Sequence, residues 1–455
     1  MKSESRPNVL VFVPHDLGDH LHCYGHETVR SPHLDQLASD GVRFTSYFTS
    51  APECTSSRGC MMTGRHSHQH GLMGLCWFGW DIHPHVPHLA ARLRGGGYQT
   101  HLFGMQHETH GAPEGLGYAH NHPARGNHVA DVCHNLVEFL GSEEARSDSP
   151  WFACAGFKHV HRPWNNTPTS TPDEVAVQPY LPDNPTIRDD LTHFHQDILE
   201  MDAAIGEVLS TLRDSDVGEN TIIVFTTDHG AAFPRAKATF YDPGIHIPLI
   251  MYWPGHMEGG REFDELLSNV DFTSTILDCC GLDLPEDIPS RSFLPLVRGE
   301  SYDVREAVYG ALFYDVSYDP MHYVRTRTHK YIRSFGVTPE DAKGADERVL
   351  ATFAAGSWIR VDDADVMSSP AWQSMATNVD CSRPAREELY DLEKDPLEQR
   401  NLAGTPEAES VLVGLRDSMH RMMVDTQSPL LDGHVPPPAK QIELGQHHRK
   451  RLKID

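Results

Sequence analysis

Continuous apolar runs alternate with amphipathic stretches through the first two-thirds of the chain. Val9-Leu10-Val11-Phe12-Val13 is apolar at every position, as a parallel strand covered on both faces requires. Ser31-Pro32 then opens a helix through Leu34, Leu37 and Ala38, with serine as cap, proline in the first turn and Gly41 as stop. Pro87 to Leu93 is a short helix closed by Gly95-Gly96-Gly97. Tyr98 to Phe103 and Trp151 to Phe157 are strands. Leu191, Phe194, Ile198, Met201, Ile205 and Val208-Leu209 carry a helical period from Ile187 to Leu212. Thr221 to Thr227 and Ile247 to Trp253 are further strands, and Asp271 to Cys280 is helical.

The pattern changes after about residue 300. Val308 to Tyr314, His322 to Arg327, Lys330 to Ser334 and Glu388 to Leu392 are short strands with tight connections, and Ala408 to Val424 is a last helix. Residues 336 to 385 are weakly patterned and predict a long loop or insert. Together these segments predict an α/β fold: a large, mainly parallel or mixed sheet sandwiched by helices, with a smaller C-terminal antiparallel-sheet α+β subdomain. The expected division is an α/β domain over residues 1–330, a C-terminal subdomain over 331–430 and an extended tail over 431–455. The tail holds Pro436-Pro437-Pro438 and a basic stretch from His447 to Lys453. No internal repeat is visible.

Composition narrows the function classes. The 455 residues suffice for a large core, and 39% hydrophobic residues fit a globular chain. A net charge of -26 argues against nucleic acid and an anionic membrane surface as partners, but not against a small anionic substrate. Nine cysteines lack the spacing of a disulfide scaffold or a structural zinc site, and Cys279-Cys280 sit in an apolar helix. Val9 to Val13 is too short for the core of a signal peptide, so a cytoplasmic location is expected, although a processed exported chain would look the same. No stretch is long enough to span a bilayer. Oligomeric state is left open, with a homo-oligomer allowed.

Chemistry concentrates around Cys54-Thr55-Ser56-Ser57-Arg58. On a helix, residues four apart share a face, so Arg58 can lie beside Cys54. A helix N-terminus adds partial positive charge, which favours an anion and an ionised thiol there. Two predicted strands end in His15-Asp16 and Asp228-His229. Residues just past the C-terminal ends of parallel strands lie where open α/β sheets bind ligands. Asp and His from two such ends form a candidate metal site; the carboxylates suit a hard cation and the imidazoles extend the choice to Mn or Zn. His107, His161 and Lys237 follow other strands and can bind a tetrahedral anion and move protons.

Cys54 to Arg58, continuing through Met61-Met62-Thr63-Gly64, resembles the signature of type I sulfatases of the alkaline phosphatase superfamily. Ser56 stands where that family usually has proline. Further resemblance lies in Arg6 to Asp16, Ser31 to Phe44, Gly97 to His107, His161, Asn220 to Gly230, Lys237, Pro248 to Gly255, Arg291 to Gly299 and Glu387 to Leu402. His15 replaces a usual aspartate and Met105 a usual lysine. The resemblance implies that residues 1–330 are a sulfatase-like catalytic domain, and that Cys54 is oxidised to formylglycine by a dedicated modifying enzyme. It implies one divalent metal, calcium ahead of manganese or zinc, on His15, Asp16, Cys54, Asp228 and His229. Cys54, Arg58, His107, His161 and Lys237 are then the catalytic set. The implied reaction is metal-dependent hydrolysis of a sulfate ester, such as a sulfated sugar or aryl sulfate. Phosphonate monoester, phosphodiester or sulfamate hydrolysis, and a silent anion-binding homologue, are the alternatives. Trp77-Phe78-Gly79-Trp80 is readable as a specificity wall, as core or as a subunit contact.

Overall fold

The computed structural model describes residues 6–315, 318–336, 364–375 and 385–443. Eight strands form the main sheet: β1 (Asn8–Val13), β2 (Val42–Phe44), β3 (Gln99–Gly104), β4 (His120–His122), β5 (Trp151–Gly156), β6 (Thr221–Thr226), β7 (Leu249–Tyr252) and β8 (Arg261–Phe263). Their spatial order is β4-β3-β5-β1-β6-β7-β2-β8. β1 pairs in parallel with β5 and with β6, and only β7 runs against the rest.

The uninterrupted apolar run of β1 is explained by its central place. Side chains alternate across a strand. Leu10 and Phe12 enter one core with the helices Pro32–Asp40, Val129–Leu140 and Pro185–Arg213. Val9, Val11 and Val13 enter the other, with Met61, Met62, Leu89 and Ile276. Both layers are sealed: all these side chains are at most 1% exposed. A Leu10→Ala cavity here would cost about 2–5 kcal/mol, so the strand ends that carry the site stand on a closely packed core.

A second, antiparallel sheet runs in the order β9 (Val308–Tyr314), β10 (Tyr318–Arg325), β11 (His329–Ser334), β12 (Glu387–Asp391). One face takes Leu412, Leu415, Met419 and Met422 of the helix Glu409–Asp425. The other packs Leu312, Met321 and Ile332 against Phe48, Ile245 and Leu266 of the larger unit. A boundary at residue 330 would therefore cut through this sheet; the change of pattern near residue 300 is the better marker. The extended tail expected over residues 431–455 packs onto the fold at its start. Val435 is 4% exposed, and Gln441 accepts from Trp80 Nε1 at 2.9 Å. The basic stretch His447 to Lys453 and most of the weakly patterned insert lie outside the described residues, where only Ala364–Met367 and Pro370–Met375 of the insert are seen as short helices. All eight cysteines among the described residues are free. No described helix is long and apolar enough to cross a membrane.

Candidate active site

The C-terminal ends of β1, β3, β5 and β6 converge on one cluster. Beyond β1, Asp16 adopts φ 55°, a left-handed conformation that aspartate tolerates better than most residues. That turn puts the Asp16 N–H 3.0 Å from Asp228 Oδ1, so the loops after β1 and β6 are tied together directly. β3 leaves the sheet beside Gly156, where an added Cβ would sit 2.0 Å from the Met105 carbonyl oxygen. Only glycine permits that approach, and the crossing carries the chain towards His107.

Four predicted metal residues meet: one ligand atom from each of His15, Asp16, Asp228 and His229 lies within 4.8 Å of the others. All four are at most 1% exposed. His15 Nδ1 is 2.6 Å from Asp16 Oδ1 and 3.5 Å from Asp228 Oδ2. Burial would raise the Asp16 carboxyl, but the cations around it, Lys237 foremost, hold it well below the usual range. Asp228 is likewise raised by burial and pulled down further by His15, His229 and Arg58. Burial pushes His15 down to about 4, which leaves its ring neutral near pH 7.

His229 provides the test of fit for a cation. Its Nδ1 donates to the Gly230 carbonyl at 2.9 Å. Its Nε2 is buried without a hydrogen-bond partner and faces Asp16 Oδ1 at 3.3 Å. An orphaned imidazole nitrogen beside two carboxylates is a donor set that a cation would complete. The residues present fit a divalent ion.

Cys54 begins the helix Cys54–Thr63, all ten residues of which are buried. Its sulfur, His15 and His107 also place one ligand atom each within 4.8 Å of one another. The helix is anchored by Ser57, whose hydroxyl donates to the Asp228 carbonyl at 2.5 Å and receives from Asn269 at 3.1 Å. Ser56 donates to the Leu72 carbonyl at 2.7 Å and also contacts the buried Glu53 carboxyl, which burial pushes well above its usual range.

The expected ionised thiol is not what the geometry favours. Burial pushes the Cys54 thiol well above its ordinary value; Lys237 opposes this, and Asp228, Asp16 and Glu53 add to it. Desolvation and three acidic neighbours outweigh the helix N-terminus and Arg58. Arg58 commits its donors elsewhere: Nε donates to Asp228 Oδ2 at 3.1 Å and Nη2 to the Val13 and Pro14 carbonyls at 3.2 and 3.0 Å. It clamps a carboxylate and a strand end.

The remaining predicted residues ring the same space. His107 Nδ1 is 3.0 Å from His15 Nε2, and Trp77 meets the His107 ring edge-on at 5.0 Å. Phe78 and Trp80 instead belong to the core. Lys237 Nζ donates to Asp16 Oδ2 at 2.9 Å and to Asp365 Oδ2 at 3.1 Å. His161 Nε2 lies 3.1 Å from the same Asp365 oxygen. Burial lowers the His161 pKa, but Asp16 and Asp365 more than offset it, and the net shift is upward. Asp365 was absent from the sequence reading. Its only sequence signal is the acidic run Asp362-Asp363-Ala364-Asp365 inside the unpatterned insert. A cavity of about 490 Å³ opens beside it, lined by Arg162, Trp164, Asp189, His193, Asp365 and Pro370.

Fold and cluster define an α/β protein with acidic, cationic and imidazole groups gathered at the C-terminal ends of parallel strands around a helix-start cysteine. The sulfatase family model matches residues 7–282, and the model described as N-sulphoglucosamine sulphohydrolase, C-terminal, matches residues 233–341. An ulvan-active sulfatase of Formosa agariphila is 27% identical over 93% of this chain and 76% of its own. The human N-sulphoglucosamine sulphohydrolase is 26% identical over 93% of this chain and 91% of its own. A structure solved in complex with its substrate D-glucosamine-2-N,6-O-disulfate superposes with a TM-score of 0.68 at 18% identity, covering 93% of this chain and 98% of that one. The chain belongs to the sulfatase family, whose members hydrolyse sulfuric esters.

Proposed function

We propose that this sulfatase hydrolyses the sulfate ester of a sulfated sugar, with the nucleophile at position 54 and a divalent cation held by Asp16, Asp228, His229 and His15. The observation that carries this reading is the meeting of Cys54, His15 and His107 beside the Asp16–Asp228 pair. A neutral, buried thiol is a poor nucleophile; conversion of Cys54 to formylglycine supplies a hydrated aldehyde whose hydroxyl can attack sulfur. A cation in the cluster supplies neutralisation of charge on the nucleophile and the sulfate oxygens.

The chain's own groups do the rest. Lys237 and His161 face one point, occupied here by the Asp365 carboxylate, and bind sulfate oxygens there. His161, whose pKa Asp16 and Asp365 shift upward, delivers a proton to the leaving oxygen. His107 is kept neutral by burial and can accept a proton from the hydrate's second hydroxyl. Arg58 fixes Asp228. The cavity beside Asp365, with Trp164 and several polar groups, has the size and lining for a sugar. The sugar-active relatives and the glucosamine disulfate complex support this class.

The match to the N-sulphoglucosamine sulphohydrolase C-terminal model favours sulfamate as the second reading. Parallel assays on 6-O-sulfated glucosamine, N-sulfoglucosamine and an aryl phosphonate monoester separate the readings. Highest kcat/KM on the O-sulfated sugar is expected. A preference for the N-sulfated sugar would select sulfamate hydrolysis, and a preference for the phosphonate would overturn the substrate class.

A further inference from the structure

The edge of the main sheet carries a second cluster that shares no residue with the site above. β3 and β4 pair in parallel with His101 opposite His120 and Phe103 opposite His122. The His101 and His120 rings stack at 4.6 Å between centroids, 14° from parallel. Glu144 follows the helix Val129–Leu140 and brings Oε1 to 3.6 Å from His120 Nε2 and 3.9 Å from His101 Nε2.

His101 is the informative member. It is 0% exposed, and its Nε2 has no hydrogen-bond partner. Its Nδ1 lies 3.2 Å from His122 Nε2. With the proton of that bond on His101 Nδ1, the lone pair of His101 sits on Nε2, aimed at Glu144.

We propose that His101, His120 and Glu144 form a second metal site, one for a divalent transition ion of the zinc class, with water completing the coordination. The three ligand atoms lie within 4.8 Å of one another. Two imidazoles and one carboxylate suit zinc, or cobalt as its probe, rather than calcium or magnesium. Stacking and an ion pair alone would leave the buried His101 Nε2 unsatisfied; an ion satisfies it. The side chains of His120 and Glu144 are 43% and 41% exposed, so both can shift to converge on the ion and admit it from solvent. The ion would tie the polar edge strand to the turn after the helix Val129–Leu140, closing the open edge of the sheet.

The test is a cobalt titration of the full chain, read by visible absorption after its resident metal content has been measured. Wild type is compared with His120→Gln, Glu144→Gln and the control His134→Gln. His134 faces Glu138 at 3.5 Å on the exposed side of the helix, outside the cluster. Wild type and His134→Gln should take up one equivalent more than the other two, with the corresponding absorption lost in His120→Gln and Glu144→Gln. Zinc should raise the Tm of the first pair further than that of the other two. Equal uptake by all four proteins, or loss in the His134→Gln control equal to that in His120→Gln, would overturn the proposal.

Discussion

Two clusters in this protein each set a pair of carboxylates against a lysine and an arginine, yet they differ in character. In the active site, Asp16 and Asp228 face Lys237 and Arg58. Between the two sheets, Asp242 and Glu398 face Lys330 and Arg325. The second group spends its charges on ion pairs among its own members. Arg325 holds both oxygens of Asp242 at 3.0 Å, Lys330 Nζ reaches Asp242 at 2.5 Å and Glu398 at 2.7 Å, and Glu398 accepts the Asp242 N–H at 2.6 Å. In the first group, two imidazoles and a cysteine crowd the same carboxylates, and the Nε2 of His229 has no hydrogen-bond partner. Buried charge alone therefore does not mark a catalytic site. Buried imidazoles gathered with carboxylates beside a nucleophile position do.

Substitutions should separate the two clusters cleanly. Cys54→Ala is expected to reduce sulfatase kcat/KM by a thousand-fold or more, on the order of what removal of a nucleophile costs, with Tm nearly unchanged; residual turnover near wild type would sink the nucleophile assignment. Lys330→Met should do the reverse. Breaking a buried ion pair costs about 3–5 kcal/mol, so urea unfolding should shift strongly while kcat/KM of the folded enzyme holds. Loss of activity at unchanged stability would mean that this group is part of the site.

The smallest expected effect is in pH dependence. Burial raises the Glu398 carboxyl from 4.5 to about 7. The folded state then holds this proton more tightly than the unfolded chain does. Its contribution is full below about pH 4.5 and is lost as the pH climbs through about 7. Glu398→Gln cannot ionise, so wild-type Tm should fall relative to this variant between those limits. Parallel Tm curves across that range would contradict the assigned shift.

The sequence made the central strands legible because β1, β5 and β6 are apolar on both faces, and their ends disclosed Asp16, Asp228, His161 and, with its helix, Cys54. It hid β2, β4 and β8, since three residues carry no periodicity and His120-Asn121-His122 is a polar edge. Asp365 was hidden because the helix Ala364–Met367 has four residues in a polar stretch. The Asp242–Glu398–Lys330 brace joins residues up to 156 positions apart and leaves no local mark. The thiol's neutrality was misjudged because desolvation is a property of the packed state, whereas a helix start and an arginine can be read from the chain.

Peptide mass spectrometry at position 54, run beside activity assays on several preparations, tests the central claim most directly. Specific activity should rise in proportion to the fraction of Cys54 present as the aldehyde. Full activity from protein whose Cys54 is entirely thiol would contradict the account.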